Sequence, residues 1–575
     1  MKPLRTSATI VILLTIGFIV LNLSGHISAA QAQQVQVTAA DPSATAQGTI
    51  NLNVKVTGKG FKNGAKAKWF VTRTTDPGGV TVNSTAFVSS TEVTANITVA
   101  DTAVIATFDI QVLNSDGRGG KGTELFAVTG KGQTSCPELQ PAPTSDTKCY
   151  AALPGCLDST FGGVGYVHIS PGPSAYTVQA NAVVVQSDGK IVVAGTAKIS
   201  STYTDFAIIR YNVDGTLDNS FGDPDPSNPP LRRGYAVTAI TTGSDTPNAV
   251  VLQPDGKIVV SGSANGSVAV RYNPDGSLDT GFGSGGIVNL GISAPNRDLT
   301  LQSNGKIIIG GSGGGNLFAL VRLNTNGSLD SSFGSGGLVT ANPSGAKRGV
   351  NNGWSLAIQR VPAITGEERI VLVGSSNSGG SQDWTLMRFR SSGAKDTTFG
   401  SSGILKTYFS GFGDQARRVR IDSSNRIVVA GSISLNNNCG SYVSDFAVVR
   451  YTQDGSLDGS FAGGKQIVDI YGGSDTLSGL VLQMDGKIFI AGTGRAGDNS
   501  VTHLALVRFN PDGSRDSSFG LLGNGVVTTD LYGTESWGMG GVALDSANGR
   551  IVVAGGAYLG LNFTQGEIVV ARYLP

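Results

Sequence analysis

Residues 273–286 read NPDGSLDTGFGSGG: a turn, a carboxylate, one aromatic ring and a run of glycines. The phrase returns as LDSTFGGVG (157–165), NVDGTLDNSFG (212–222), NTNGSLDSSFG (324–334), RSSGAKDTTFG (390–400), TQDGSLDGSFA (452–462) and NPDGSRDSSFG (510–520). A second phrase, DGKIVVAG in its first copy, alternates with it. Its basic residues fall at Lys190, Lys257, Lys306, Arg369, Arg426, Lys487 and Arg550, a spacing of about 60 residues. A third, FAIIRY at 206–211, recurs down to VVARY at the C-terminus. Such periodicity means stacked units, none of which can bury its faces alone.

Each unit predicts four strands. Strand A (AVVVQ) turns through Asp-Gly, a dipeptide suited to positive φ, into strand B (KIVVAG). Strand C (FAIIRY) follows, and a second Asp-Gly turn with the LDxxFG segment leads to strand D, as in GIVNL. Strands A to C are almost continuously apolar, which fits sheets covered on both faces. Four-stranded units repeated around an axis predict an all-β, seven-bladed β-propeller over 157–575. The seventh copy stops after its strand C. The first LDxxFG and YVHI (166–169) have no strand C before them, so this N-terminal strand is expected to complete the last blade.

The repeats, carried by DGKIVVAG and FAIIRYNVDGTLDNSFG, resemble the Delta-60 repeat family of bacterial proteins over 157–575. That resemblance implies a propeller and brings no activity with it. Copy four departs from the pattern: RVPAITGEERIVLVG replaces the short turn, and an extended hairpin is expected there.

Upstream, MKPLRTSATIVILLTIGFIVLNLSGHISAAQAQQ has a basic start, an apolar run and an Ala30-Gln31-Ala32 site, the pattern of a secretory signal peptide over residues 1–32; an uncleaved anchor is the rival reading. Removing it leaves forty basic and forty-one acidic side chains, too balanced for nucleic acid or anionic lipid to be favoured partners. Nothing later in the chain is long and apolar enough to span a bilayer. The expected location is outside the cytoplasm: secreted, periplasmic or on a bacterial cell surface. Cys136, Cys149, Cys156 and Cys439 then suit disulfides, with three pairings open.

Residues 35–130 alternate in the period of two of half-buried strands. In TINLNVKVTG, Ile50, Leu52, Val54 and Val56 point one way and Asn51, Asn53 and Lys55 the other. About seven strands predict an Ig-like β-sandwich. VTGKGFKNGAKAKWFV, VSSTEVTANITVA and IQVLNSDGRGG resemble the IPT/TIG-type modules of bacterial surface proteins, which implies a spacer or binding role. Residues 131–156 read as a Cys- and Pro-containing linker.

An active site occurs once, whereas Asp158, Asp218, Asp279, Asp330, Asp396, Asp458 and Asp516 occur in every unit. So do Arg210, Arg271, Arg322, Arg388, Arg450, Arg508 and Arg572, and the phenylalanines from Phe161 to Phe519. These read as structural: the Phe wedged between blades, the Asp holding turn donors or pairing with Arg. Ca2+ is the rival, although one carboxylate per loop is few for a calcium site. No cofactor is expected otherwise.

Function is expected where copies differ, on the face of the B–C and D–A loops. There Asp245, Asp414 and Asp475 share one register, eight residues before the Gln or Asp ending strand A. They read either as an acidic rim or as local turn caps. Trp354 and Trp537 lie near the same rim, placed for sugar stacking or for packing. No Ser-His-Asp order, zinc-type pairing or phosphate loop stands out. The reading is a binding protein or cell-surface scaffold for a surface protein or glycan ligand. A secreted carbohydrate-active lyase or hydrolase at the channel mouth is the alternative, and a plain spacer the third.

Overall fold

The computed structural model describes residues 35–46, 48–71, 75–100, 103, 106–129, 153–171, 178–200, 203–291, 296–345, 351–360, 367–377, 382–409, 413–436, 442–495, 502–529, 538–559 and 565–575. The signal-like segment, most of the linker, Cys136, Cys149, Cys439, Trp537 and the copy-four turn at 361–366 lie outside them. The chain forms two compact units, Met1–Glu138 and Leu139–Pro575. No helix among the described residues is long and apolar enough to cross a membrane.

Among the described residues the first unit has eight strands in two four-stranded sheets, against the expected count of about seven. Ala44–Ala46 joins the second sheet by parallel pairing with Gly119–Thr129. Both sheets contribute to one core, which holds Val54, Val56, Trp69, Ile97, Phe108 and Ile110. The expected alternation breaks at one point: Ile50 is 71% exposed. Asn51 takes a left-handed φ of 56°, so Ile50 leaves the strand's inward face before Leu52–Lys59 begins.

The second unit contains, among the described residues, seven four-stranded antiparallel sheets. In the first, the order is Ala180–Val185, Ile191–Lys198, Thr204–Tyr211 and Tyr235–Thr238. In the last, Gly538–Asp545, Arg550–Leu559 and Gln565–Tyr573 are joined by Tyr166–Ile169, with Val569 opposite His168. The first strand of each sheet packs on the first strand of the next, and Gly538–Asp545 packs on Ala180–Val185. This closed cycle of sheets around an axis is a β-propeller.

Its core is seven apolar layers, each shared by two consecutive sheets. Val193 and Ile209 face the layer with Val552 and Ile568, while Val192 and Ile208 face the layer with Ile258 and Val270. Alternate residues of one strand thus serve two cores, which is why strands B and C have no polar face.

The recurring phrase joins these sheets. Asp279 Oδ2 accepts from Arg271 Nε at 2.6 Å and Lys257 Nζ at 2.9 Å. The same two-cation grip holds Asp158 (Arg572, Arg550), Asp218 (Arg210, Lys190), Asp330 (Arg322, Lys306), Asp396 (Arg388, Arg369), Asp458 (Arg450, Arg426) and Asp516 (Arg508, Lys487). Each of the seven guanidiniums also lies over the Phe of its phrase, Arg271 over Phe282 at 4.4 Å, a cation–π contact. One further nitrogen, Nη1, reaches the neighbouring sheet: Arg210 donates to the carbonyl of Pro274, Arg388 to that of Gln453 and Arg572 to that of Val213.

Gly276 shows why the turn needs glycine. Its φ is +84°, and a Cβ there would stand 2.7 Å from the Gly222 nitrogen and 3.0 Å from Phe221 of the preceding sheet. Gly276→Ala is therefore expected to cost about 1–3 kcal/mol, read as a lower urea midpoint with an unchanged m-value.

Candidate functional site

Every strand A carries a one-residue bulge near its start, at Asn181, Asn248, Arg297, Trp354, Arg417, Ser478 and Gly540. Each lies five residues before the Gln or Asp that ends its strand, so the seven form one tier around the axis. A bulge turns one side chain away from the regular pleat. The scaffold is repeated, yet it presents five different residue types in seven copies.

Three neighbours in this tier touch. The Arg297 guanidinium lies over the Trp354 indole at 4.5 Å, and the Arg417 guanidinium at 5.0 Å. Below them, Ser355 Oγ donates to Asp298 Oδ2 at 2.6 Å and accepts from the Val419 amide, tying three inner strands together. Arg418 and Arg420 continue the cationic surface, each folded back on a backbone carbonyl. Burial, then the neighbouring charges of Arg418 and Arg297, push Arg417 down to about 10. Its Nε and the Trp354 Nε1 are buried without a hydrogen-bond partner among the described residues. Sequence reasoning found Trp354 and missed Arg297 and Arg417. The signal available was their shared register, five residues before the Gln or Asp that ends strand A.

Asp245, Asp414 and Asp475 do not gather into a rim open to solvent. Each is buried, and each sits at a different junction between sheets. Asp245 caps the preceding turn: its Oδ2 accepts from the amides of Ile240 and Thr241, and its Oδ1 from Thr241 Oγ1. Asp475 accepts from the Ile470 amide, and Asp414 from the Ser434 amide. Their unforeseen companions are Asp205, Asp383 and Asp445, which lie five residues before a repeated Arg at the start of strand C.

Two carboxylates thus share each of three buried junctions. Asp445, Asp469 and Asp475 each bring a carboxylate oxygen within 4.8 Å of the others. Burial, then the charge of Asp469, pushes Asp445 up to about 7. Burial, outweighing the Ile470 amide, and then Asp469 and Asp445 push Asp475 to about 8. Burial, with the Asp383 charge adding to it, raises Asp414 to about 6. Only Asp469 of the trio is exposed.

The repeated carboxylates are engaged by cations and turn donors. In Asp218, Oδ2 takes two cations while Oδ1 accepts from the Ser220 amide and hydroxyl. A metal there would have to displace both cations. Cys156 is disulfide-bonded, and its partner lies outside the described residues. Much of the B–C and D–A loop face also lies outside them, including 496–501 and 560–564.

The family model described as "Domain of unknown function (DUF5122) beta-propeller" matches residues 186–221, 253–282, 302–333, 369–399, 423–461 and 483–519. No curated protein matches the chain at a significant level. Among solved structures, the β-propeller domain of the Trilobed protease from Pyrococcus furiosus is 10% identical, covering 69% of this chain and 94% of its own, with a TM-score of 0.35. An α-L-arabinanase from Penicillium chrysogenum, complexed with arabinobiose, is 11% identical over 71% and 97%, with a TM-score of 0.36. A protein of unknown function from Bacteroides caccae is 12% identical over 48% and 79%, with a TM-score of 0.29. Likenesses this low carry no argument about ligand or reaction.

Proposed function

We propose that this chain is an exported bacterial binding protein: an Ig-like module at 35–130 precedes a seven-bladed Delta-60-type propeller, whose ligand sits at the channel mouth on the B–C and D–A side. One observation carries the reading. Seven equivalent bulges form one tier of five residue types, two Asn, two Arg, a Trp, a Ser and a Gly, while the scaffold beneath them repeats. Residues that only hold sheets together repeat sevenfold, as the Asp, Arg and Phe of the recurring phrase do; a tier that does not repeat is free to be shaped by a ligand.

The test is an array of neutral and acidic oligosaccharides probed with the full chain and with Trp354→Ala. Binding weakened at least tenfold by the substitution supports the reading; binding indifferent to it places the ligand elsewhere and defeats it.

A secreted carbohydrate-active enzyme is the second reading, favoured by the raised carboxyls of Asp445 and Asp475 beside exposed Asp469. New reducing ends or unsaturated products released by the wild type, and lost in Asp469→Asn, would replace binding by catalysis.

A further inference from the structure

We infer that the channel mouth is built for an oxyanion, a carboxylate, sulfate or phosphate group, held between Arg297 and Arg417 at the edges of Trp354. The inference rests on the binding reading above and names its ligand chemistry.

Arg297, Arg417, Arg418 and Arg420 project from two inner strands, and the Asp298 carboxylate acts on Arg418. That Asp is already engaged: Oδ2 accepts from Ser355 Oγ and the Leu356 amide, and Oδ1 from the Leu299 amide. No ion pair to any of the four arginines is found among the described residues, whereas every repeated Arg has one. The guanidiniums gathered here repel each other: Arg297 and Arg418 act on Arg417, and Arg420 and Arg297 act on Arg418.

The repeat shows that this chain can supply an aspartate to any Arg that only has to be neutralised. Here it supplies an indole instead. The two guanidiniums lie over the Trp354 ring, so the surface a neutral sugar would stack on is occupied by cations. Arg417 Nε and Trp354 Nε1 remain as unused N–H donors within one tier. Planar forks and an N–H together suit oxygen acceptors on an anion.

The experiment uses the purified full chain at constant ionic strength. Tetragalacturonate, a sulfated disaccharide, sodium phosphate and neutral cellotetraose are titrated separately, followed by calorimetry and by Tm. At least one anion is expected to bind saturably and to raise Tm, while cellotetraose does neither. Arg297→Gln and Arg417→Gln should each weaken binding at least tenfold. Without ligand, both variants should melt at or above the wild-type Tm, because a repelling charge has gone. Affinity for the anion should fall steeply with added NaCl, a wild-type readout independent of how the variants fold. Which anion binds tells a uronate chain from a sulfated glycan or free phosphate.

The inference is overturned if no anion binds saturably, or if Arg297→Gln and Arg417→Gln bind like the wild type. If a neutral glycan binds through Trp354 and ignores both arginines, the binding reading stands and the anion falls. If nothing on the array depends on Trp354, the binding reading itself falls.

Discussion

Asp396→Ala is expected to destabilise the propeller by about 3–5 kcal/mol, the largest single-site loss anticipated for this molecule. Asp396 is fully buried and receives Arg388 Nε at 2.7 Å and Arg369 Nε at 3.1 Å. Both guanidiniums are themselves buried. Removing the carboxylate leaves buried Arg388 without a counter-ion and Arg369 with Glu367 alone. Burial alone would raise the Asp396 carboxyl; the Thr398 hydroxyl and Arg388 outweigh it and hold the group below its ordinary range. A carboxyl depressed in the folded state stabilises above its unfolded pKa of about 3.9 and loses that contribution as pH falls further. The substitution should therefore cost most near pH 7, and the gap between variant and wild type should narrow below about pH 4. Urea unfolding at both pH values checks it. An equal deficit at the two pH values would mean that packing, not charge, carries the effect. Asp396→Leu combined with Arg388→Met and Arg369→Met should recover part of the loss, because an apolar set needs no neutralisation.

Asp475→Asn is expected to act in the opposite direction, stabilising the chain by on the order of 2 kcal/mol at pH 8. Asp475, at about 8, and its neighbour Asp445, at about 7, are both raised by burial and by nearby carboxylates. A raised folded pKa means that the folded chain holds protons the unfolded chain has released. Such groups favour the fold most below about pH 4, where both states are protonated, and progressively less as pH climbs towards 8. Asparagine keeps an oxygen for the Ile470 amide and never ionises. The gain should vanish near pH 4, and thermal unfolding between pH 4 and 8 should show the two curves converging towards acid. A variant less stable than wild type at pH 8 would show that the ionised carboxylate is needed, and would favour the catalytic reading of this cluster.

The sheet pattern was legible because one local signal is written many times over. A single Asp-Gly turn or VVVQ run is ambiguous, but Lys190, Lys257 and Lys306 recur in step with Asp218, Asp279 and Asp330, and the step carries the architecture. The roles of repeated residues were readable for the same reason, since a group needed at every junction has to serve the junction. What repetition shows in the scaffold it hides in the site. Arg297, Trp354 and Arg417 share a position that Asn, Ser and Gly fill in the other copies, and a bulge leaves no residue preference by which to find it. Asp475 failed differently: its register with Asp245 and Asp414 was visible, but its closeness to Asp445 and Asp469, a contact that no local pattern encodes, was not. Ile50 is the small case of the same problem. One left-handed Asn51 suffices to turn an apparently inward residue outward.

The pairing of Tyr166–Ile169 with Gln565–Tyr573 has a consequence for the order of assembly. Six sheets draw all four strands from contiguous chain and are free to form as soon as their own residues exist. The seventh needs partners separated by about four hundred positions, as does the ion pair of Asp158 with Arg572. In a chain made from its N-terminus, YVHI must wait with an unsatisfied edge until about four hundred further residues have been synthesised. The clasp is thus the slow, late event, and until it snaps shut the nascent molecule carries two raw borders on which a second copy could settle.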